Sequence, residues 1–118
     1  MNWFWAFEKC LTARDAKNIR KGRKECLYYE IHKYGLFVEK QKALPLIYED
    51  IKMEIVYRID LLVEKKLILE IKSVAALNDL HLAQILTYLK LSNCKLGLLM
   101  NFNTILLKNG IRRVANNL

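Results

Sequence analysis

Asp60, Glu70 and Lys72 are the residues of this 118-residue chain whose types and spacing could do chemistry. Glu70 and Lys72 fall in the run Leu67-Ile68-Leu69-Glu70-Ile71-Lys72, apolar enough to lie inside a sheet. Side chains alternate across a strand, so Ile68, Glu70 and Lys72 share one face while Leu67, Leu69 and Ile71 take the other. Burying a carboxylate and an ammonium there costs on the order of several kcal/mol per ion unless something compensates them. A metal ion and a phosphate would compensate both. A turn at Lys65-Lys66 folds the Asp60 strand back antiparallel to the Glu70 strand, and the two acids lie at nearly matching distances from it, so they can reach a common point. Two hard oxygen ligands beside open positions suit Mg²⁺ or Mn²⁺, with the backbone carbonyl of Ile71 as a further ligand. Such a centre would lower the pKa of a bound water and polarise a phosphoryl oxygen, while Lys72 positions or deprotonates the water. The plainer alternative places Asp60 at a strand edge and pairs Glu70 with Lys72 on a solvated face.

The elements that must position these groups follow from periodicity. Asn78 or Asp79 can cap a helix running to about Leu91, whose Leu82, Ile85, Leu86 and Leu89 make an apolar stripe for the sheet. His81, Gln84 and Tyr88 form a polar edge beside that stripe, directed toward the same end of the sheet. Leu36 to Gln41 and Ala43 to Tyr48 have the pattern of short strands, Glu49-Asp50 of a turn, and Ile51 to Val63 of a long strand. Leu96 to Phe102 is a further buried strand, joined to the Glu70 strand by a right-handed parallel crossover, and Ile105 to Lys108 and Ile111 to Val114 are candidate edge strands. Upstream, Leu27, Tyr28, Ile31 and Tyr34 have helical spacing, with Gly35 at the C-terminal cap. The expected fold is α/β, with a mixed central β-sheet flanked by helices.

Composition narrows the classes. One domain fits the length, and 53% hydrophobic with 27% charged residues excludes a disordered tail. The 20 Lys plus Arg against 12 Asp plus Glu give a net charge of +8, which attracts polyanions and makes nucleic acid the first partner to consider. Residues 14 to 24 concentrate that charge, with Gly22 arguing against one unbroken helix, and the stretch is expected to be solvated. Arg20, Lys21, Arg23 and Lys24, with Arg112 and Arg113, are the candidate phosphate contacts. Cys10, Cys26 and Cys94 are scattered, with no zinc spacing and no disulfide framework. The aromatic opening Trp3-Phe4-Trp5-Ala6-Phe7 is interrupted by Glu8 and Lys9, too short for a signal core or a membrane span, so a cytoplasmic location is expected.

The chain resembles the small bacterial and archaeal GxxExxY proteins of the PD-(D/E)XK, or restriction-endonuclease-like, superfamily. The resemblance runs from about Glu25 to Val114 and rests on Tyr57 to Glu64, Leu69 to Lys72, His81 to Lys90, Gly97 to Phe102 and Gly110 to Val114. It implies a restriction-endonuclease-like core, metal and catalytic roles for Asp60, Glu70 and Lys72, and a Gln-x-x-x-Tyr element in Gln84 and Tyr88. The naming motif has two registers. Gly22-x-x-Glu25-x-x-Tyr28 satisfies it literally and would make Glu25 the first acid of the site. If Glu25 to Glu30 instead matches the later part of the family helix, the usual glutamate falls near Arg20 and has been lost. The second register is preferred, because a five-position shift turns a side chain by about 140° around a helix.

The expected domain layout is therefore a divergent basic segment at 1–24 and a nuclease-like domain at 25–118. The expected function is metal-dependent hydrolysis of DNA or RNA. The alternative is a nuclease-like module with weak or no chemistry that binds nucleic acid or a protein, a homodimer included.

Overall fold

The computed structural model describes residues 19–104 and 107–116. The N-terminal aromatics, Cys10, Arg14, Lys17 and Ile105 lie outside the described residues, and so does the side chain of Arg20. The elements run α1 (Ile19–Lys33), β1 (Val38–Tyr48), β2 (Ile51–Val63), β3 (Leu67–Lys72), α2 (Asp79–Ser92), β4 (Leu96–Asn101), a 3-10 turn (Leu107–Gly110) and β5 (Ile111–Ala115). The strands form one sheet in the order β1-β2-β3-β4-β5. Each pairs antiparallel with its neighbour except β3 and β4, which are parallel across α2. This is the expected α/β architecture with a mixed sheet.

Each face of the sheet buries one helix. Leu27 and Ile31 of α1 pack with Val38, Leu61, Val63, Leu69, Ile71 and Met100. Ile85, Tyr88 and Leu89 of α2 pack on the other face with Ile59, Leu62, Ile68 and Leu99. The contact of α2 with β4 is close because Gly97 has no side chain: a Cβ there would stand 2.7 Å from Ile85 Cδ1.

Helix α1 begins at Ile19 and passes through Gly22, against the expectation that this glycine interrupts it. A mid-helix glycine costs only about 1 kcal/mol relative to alanine, less than burying one large side chain such as Leu27 returns. The division expected between residues 24 and 25 thus falls inside a helix. Gly35, at φ +83°, ends α1 as expected, its N–H donating to His32 O at 2.9 Å.

The two strands expected at 36–41 and 43–48 are one. Their apparent break is Gln41, at φ +53°, and pairing resumes beyond it in the same register, Lys40 opposite Leu61 and Lys42 opposite Ile59. The facing does not resume. Ile59 and Leu61, two apart, lie in opposite cores, as do Val38 and Leu44. Both strands of the β1–β2 ribbon therefore turn over at Gln41 and at the residue opposite it, Asp60. The turn into β3 centres on Glu64 and Lys65, both with positive φ, and Lys66 N–H donates to Val63 O at 3.0 Å. That is a type I′ turn, centred one residue earlier than the sequence pattern placed it, within a three-residue loop that leaves Val63 opposite Leu67.

Candidate functional site

The β2–β3 ladder ends at Leu61 opposite Leu69, and the next pair along is Asp60 and Glu70. Here the carboxylates replace the backbone bonding. Asp60 N–H donates to Glu70 Oε1 at 3.1 Å, and Ile71 N–H donates to Asp60 Oδ2 at 2.9 Å. Buried N–H groups need acceptors, and each acid supplies one to the other's strand. The exchange ties each carboxylate to the other's strand at adjoining positions, 3% and 2% exposed.

Lys72 comes next on the same face as Glu70. Its Nζ donates to Gln84 Oε1 at 2.7 Å, and Gln84 Nε2 donates to Tyr88 Oη at 2.9 Å. Gln84 and Tyr88 are one turn apart on α2, so the helix aims both at the end of β3. The Tyr88 ring rests against Tyr57 of β2, with centroids 5.7 Å apart. Burial pushes the Tyr88 phenol above its ordinary pKa, the negative charges of Glu70 and then Asp60 push the same way, and the Gln84 bond opposes them. Tyr88 is thus a neutral phenol at neutral pH, standing within the field of both acids.

The loop leaving β3 is fastened by Asn101, 4% exposed at the end of β4. Its Oδ1 accepts from Val74 N–H at 3.1 Å and Asn103 N–H at 3.2 Å, and its Nδ2 donates to Val74 O at 2.9 Å. Phe102 N–H also donates to Lys72 O at 2.9 Å, so the backbone carrying Lys72 is held from two sides. Asn101, Tyr57 and Gln41 have structural roles here that residue pattern did not assign to them. The single polar residue closing the apolar run Leu96–Met100 was a signal for the first, whereas nothing in the sequence marks Gln41.

His81 is not directed at the acids. It forms the capping box of α2: Asn78 Oδ1 accepts from Leu80 and His81 N–H, and His81 Nδ1 accepts from Asn78 N–H at 3.1 Å. Glu25 pairs with Lys40 at 3.0 Å, both side chains being nearly half exposed. That surface partner argues against the literal register of the motif. Lys24 is 6% exposed, because it lies on the α1 stripe three residues before Leu27, so its stem packs rather than meeting solvent. Arg23 is half-buried with its guanidinium 5.5 Å over the Phe102 ring, while Lys21 is exposed. Arg112 and Arg113 are both exposed but on opposite faces. Glu70, Leu99 and Arg112 are successive cross-strand partners, which puts Arg112 on the face of the acids, and Arg113 pairs with Leu98 on the other.

Among the described residues no group of three or more His, Cys, Asp or Glu gathers as a metal cluster. The donor set here is two carboxylates at adjoining positions of neighbouring strands, hard oxygen donors of the kind that Mg²⁺ takes together with water and phosphate oxygens. These residues fit such an ion.

No helix among the described residues is long and apolar enough to cross a membrane. No curated protein and no solved structure matches the chain. A family model, that of the PD-(D/E)XK nuclease superfamily, matches residues 20–114.

Proposed function

Because the chain belongs to the PD-(D/E)XK nuclease superfamily, we propose that it hydrolyses phosphodiester bonds of DNA or RNA with Asp60, Glu70 and Lys72 as its catalytic centre. Membership supports nuclease activity at the level of the superfamily, whose enzymes generally use divalent metals such as Mg²⁺. The finer reading places the chain with the GxxExxY proteins and gives the two carboxylates, with the Ile71 carbonyl, to Mg²⁺ or Mn²⁺. The single observation that supports it is the reciprocal exchange between Asp60 and Glu70, in which two buried acids at adjoining positions each bond the other's strand.

When bound, the cation supplies Lewis acidity toward the phosphoryl oxygen and acidifies a water. The rest belongs to the chain. Lys72 places a positive charge where the phosphoryl oxygens become more negative, and takes part in orienting the attacking water. Gln84 holds the Lys72 amine in place through a 2.7 Å bond. Tyr88 anchors Gln84 and keeps its own proton available as a donor. Lys21 and Arg112 meet substrate phosphates at the surface, each contact lowering affinity as salt rises.

Labelled single- and double-stranded DNA and RNA incubated with Mg²⁺ or Mn²⁺ test the proposal. Cleavage that disappears in Lys72→Ala is expected, and cleavage no greater than that control defeats it. A second reading, a nuclease-like fold that binds nucleic acid or a protein without turnover, is favoured by one observation: Glu25 stands paired with Lys40 at the surface, where the literal motif needs an acid of the site. Salt-sensitive binding without any cleavage would select it.

A further inference from the structure

Beside the candidate centre, on the outer side of Gln84 and Tyr88, lies a groove of about 260 Å³ lined by Tyr57, Leu80, Ala83, Gln84, Thr87 and Tyr88. Gln84 and Tyr88 reach it from the centre, whereas Tyr57, Leu80, Ala83 and Thr87 have no part in hydrolysis, and a lining without a cation is unlike that of a phosphate site. One wall is the Tyr57 ring, itself braced on Tyr88. Leu80, 80% exposed in the first turn of α2, lines the groove as well and gives it an accessible aliphatic surface. The hydrogen-bonded pair Gln84 and Tyr88 also lines it, and the same Gln84 accepts from Lys72. The groove is therefore continuous with the catalytic centre through a single side chain.

We infer that this groove seats one unpaired nucleobase next to the phosphate being cut, so that the substrate is single-stranded nucleic acid or a strand with a locally unpaired nucleotide. The inference rests on the phosphodiester reading of the neighbouring centre. Its volume lies below the roughly 300–1,000 Å³ of sites for drug-sized molecules, which suits a single planar ring system. The Tyr57 ring offers a stacking partner to one face of such a ring, and Leu80 adds apolar surface beside it; stacking on an aromatic side chain tolerates every base because each has a π-face. The net charge of +8 selects a polyanion as the bearer of that ring. A base inside a duplex already has both faces covered by its neighbours, and entering the groove would require it to leave the stack. The occupant is thus an exposed base.

The test is binding without cleavage, in EDTA, by fluorescence anisotropy of the full chain with a labelled 20-mer and with a blunt duplex of the same sequence. The single strand is expected to bind at least about tenfold more tightly. Tyr57→Ala should weaken single-strand binding by about 5- to 150-fold, the range for loss of an aromatic base-stacking partner, Leu80→Ser should weaken it by a smaller factor, and both should leave duplex binding unchanged. Tyr57→Phe should retain the single-strand affinity. Leu80→Ser keeps the test open if Tyr57→Ala fails to fold, since Leu80 is exposed. A 2-aminopurine placed along the strand should show altered emission at one position on binding, and Leu80→Ser should abolish that change. Equal affinity for both nucleic acids, or single-strand affinity indifferent to Leu80→Ser, overturns the inference. Selective single-strand binding by a chain that never cleaves would defeat the hydrolytic reading and leave the groove's role standing.

Discussion

Replacing Gln84 by methionine keeps the length of the side chain and removes both of its hydrogen bonds, the 2.7 Å acceptance from Lys72 and the 2.9 Å donation to Tyr88. A hydrogen bond to a charged group contributes about 1.5–3 kcal/mol and a neutral one about 0.5–1.5 kcal/mol. Gln84→Met should therefore destabilise the fold by about 2–4 kcal/mol, minus whatever Lys72 recovers from water on its exposed side. At about 2.1 cal/mol/K of unfolding entropy per residue, that lowers the melting temperature by roughly 8–16 °C. Bulk loss of stability is not specific, so the measurement that isolates the bond is a double-mutant cycle in urea with Lys72→Met. The expected coupling between positions 72 and 84 is about 1.5–3 kcal/mol, since each single variant leaves a polar partner stranded and the double variant leaves neither. In cleavage assays, Gln84→Met should lower kcat by about 10- to 100-fold with KM little changed, because the amine is displaced but kept. Coupling below about 0.5 kcal/mol would refute the idea that Gln84 holds Lys72, whatever happened to activity.

Other consequences are independent of that bond. Mg²⁺ at about ten times its dissociation constant should raise the stability of the native chain by about 1.4 kcal/mol, and Asp60→Asn should remove this increment, as read by thermal denaturation with and without EDTA. Tyr88 holds its proton more tightly folded than unfolded, so its contribution to stability is complete below the ordinary value of 10.0 and is lost as pH rises beyond it. Unfolding free energy should accordingly fall more steeply above about pH 10 in the native chain than in Tyr88→Phe. Gly110→Ala would force a Cβ into the Asn101 carbonyl oxygen, a backbone atom that cannot swing aside, and should cost at least about 1–3 kcal/mol in chemical denaturation. Asn101→Ala severs two bonds to Val74 in the loop after β3 and one to Asn103 after β4, and should increase hydrogen exchange at Val74 and Asn103 before it affects the core.

Much of this was legible from residue pattern. The run Leu67 to Lys72 announces its strand to the residue, because an unbroken apolar run bounded by charge has few other uses, and the placement of Glu70 and Lys72 on one face follows from alternation alone. The nearness of Asp60 and Glu70 was also accessible, since both lie at nearly equal distances from the turn, but their direct opposition was not, because a two-residue turn at Lys65-Lys66 would set Ile71 opposite Asp60 whereas three residues part Val63 from Leu67. What escaped had non-local causes. Gly22 lies within α1 because Leu27 and Ile31 are buried on the sheet, an energy that no propensity records. His81 faces its own helix start rather than the acids, since a histidine three residues after Asn78 satisfies a cap as well as it might a site. The change of facing at Gln41 is set by its partner strand, and a glutamine in a polar stretch carries no mark of a left-handed backbone.

That change of facing bears on how this scaffold can vary. One additional residue in each of two paired strands leaves their ladder in step yet inverts inside and outside for everything beyond. Deleting Gln41 alone would throw the ribbon out of step, and compensating the loss at position 60 would excise the acid itself. Lineages of this chain are therefore free to lengthen or trim the ribbon's far tip at Glu49-Asp50, where φ-positive residues already close a tight loop, but insertions and deletions near the acid should be purged in pairs. The geometry that lets the sheet reach two helices and the geometry that presents the carboxylate are inherited as one unit.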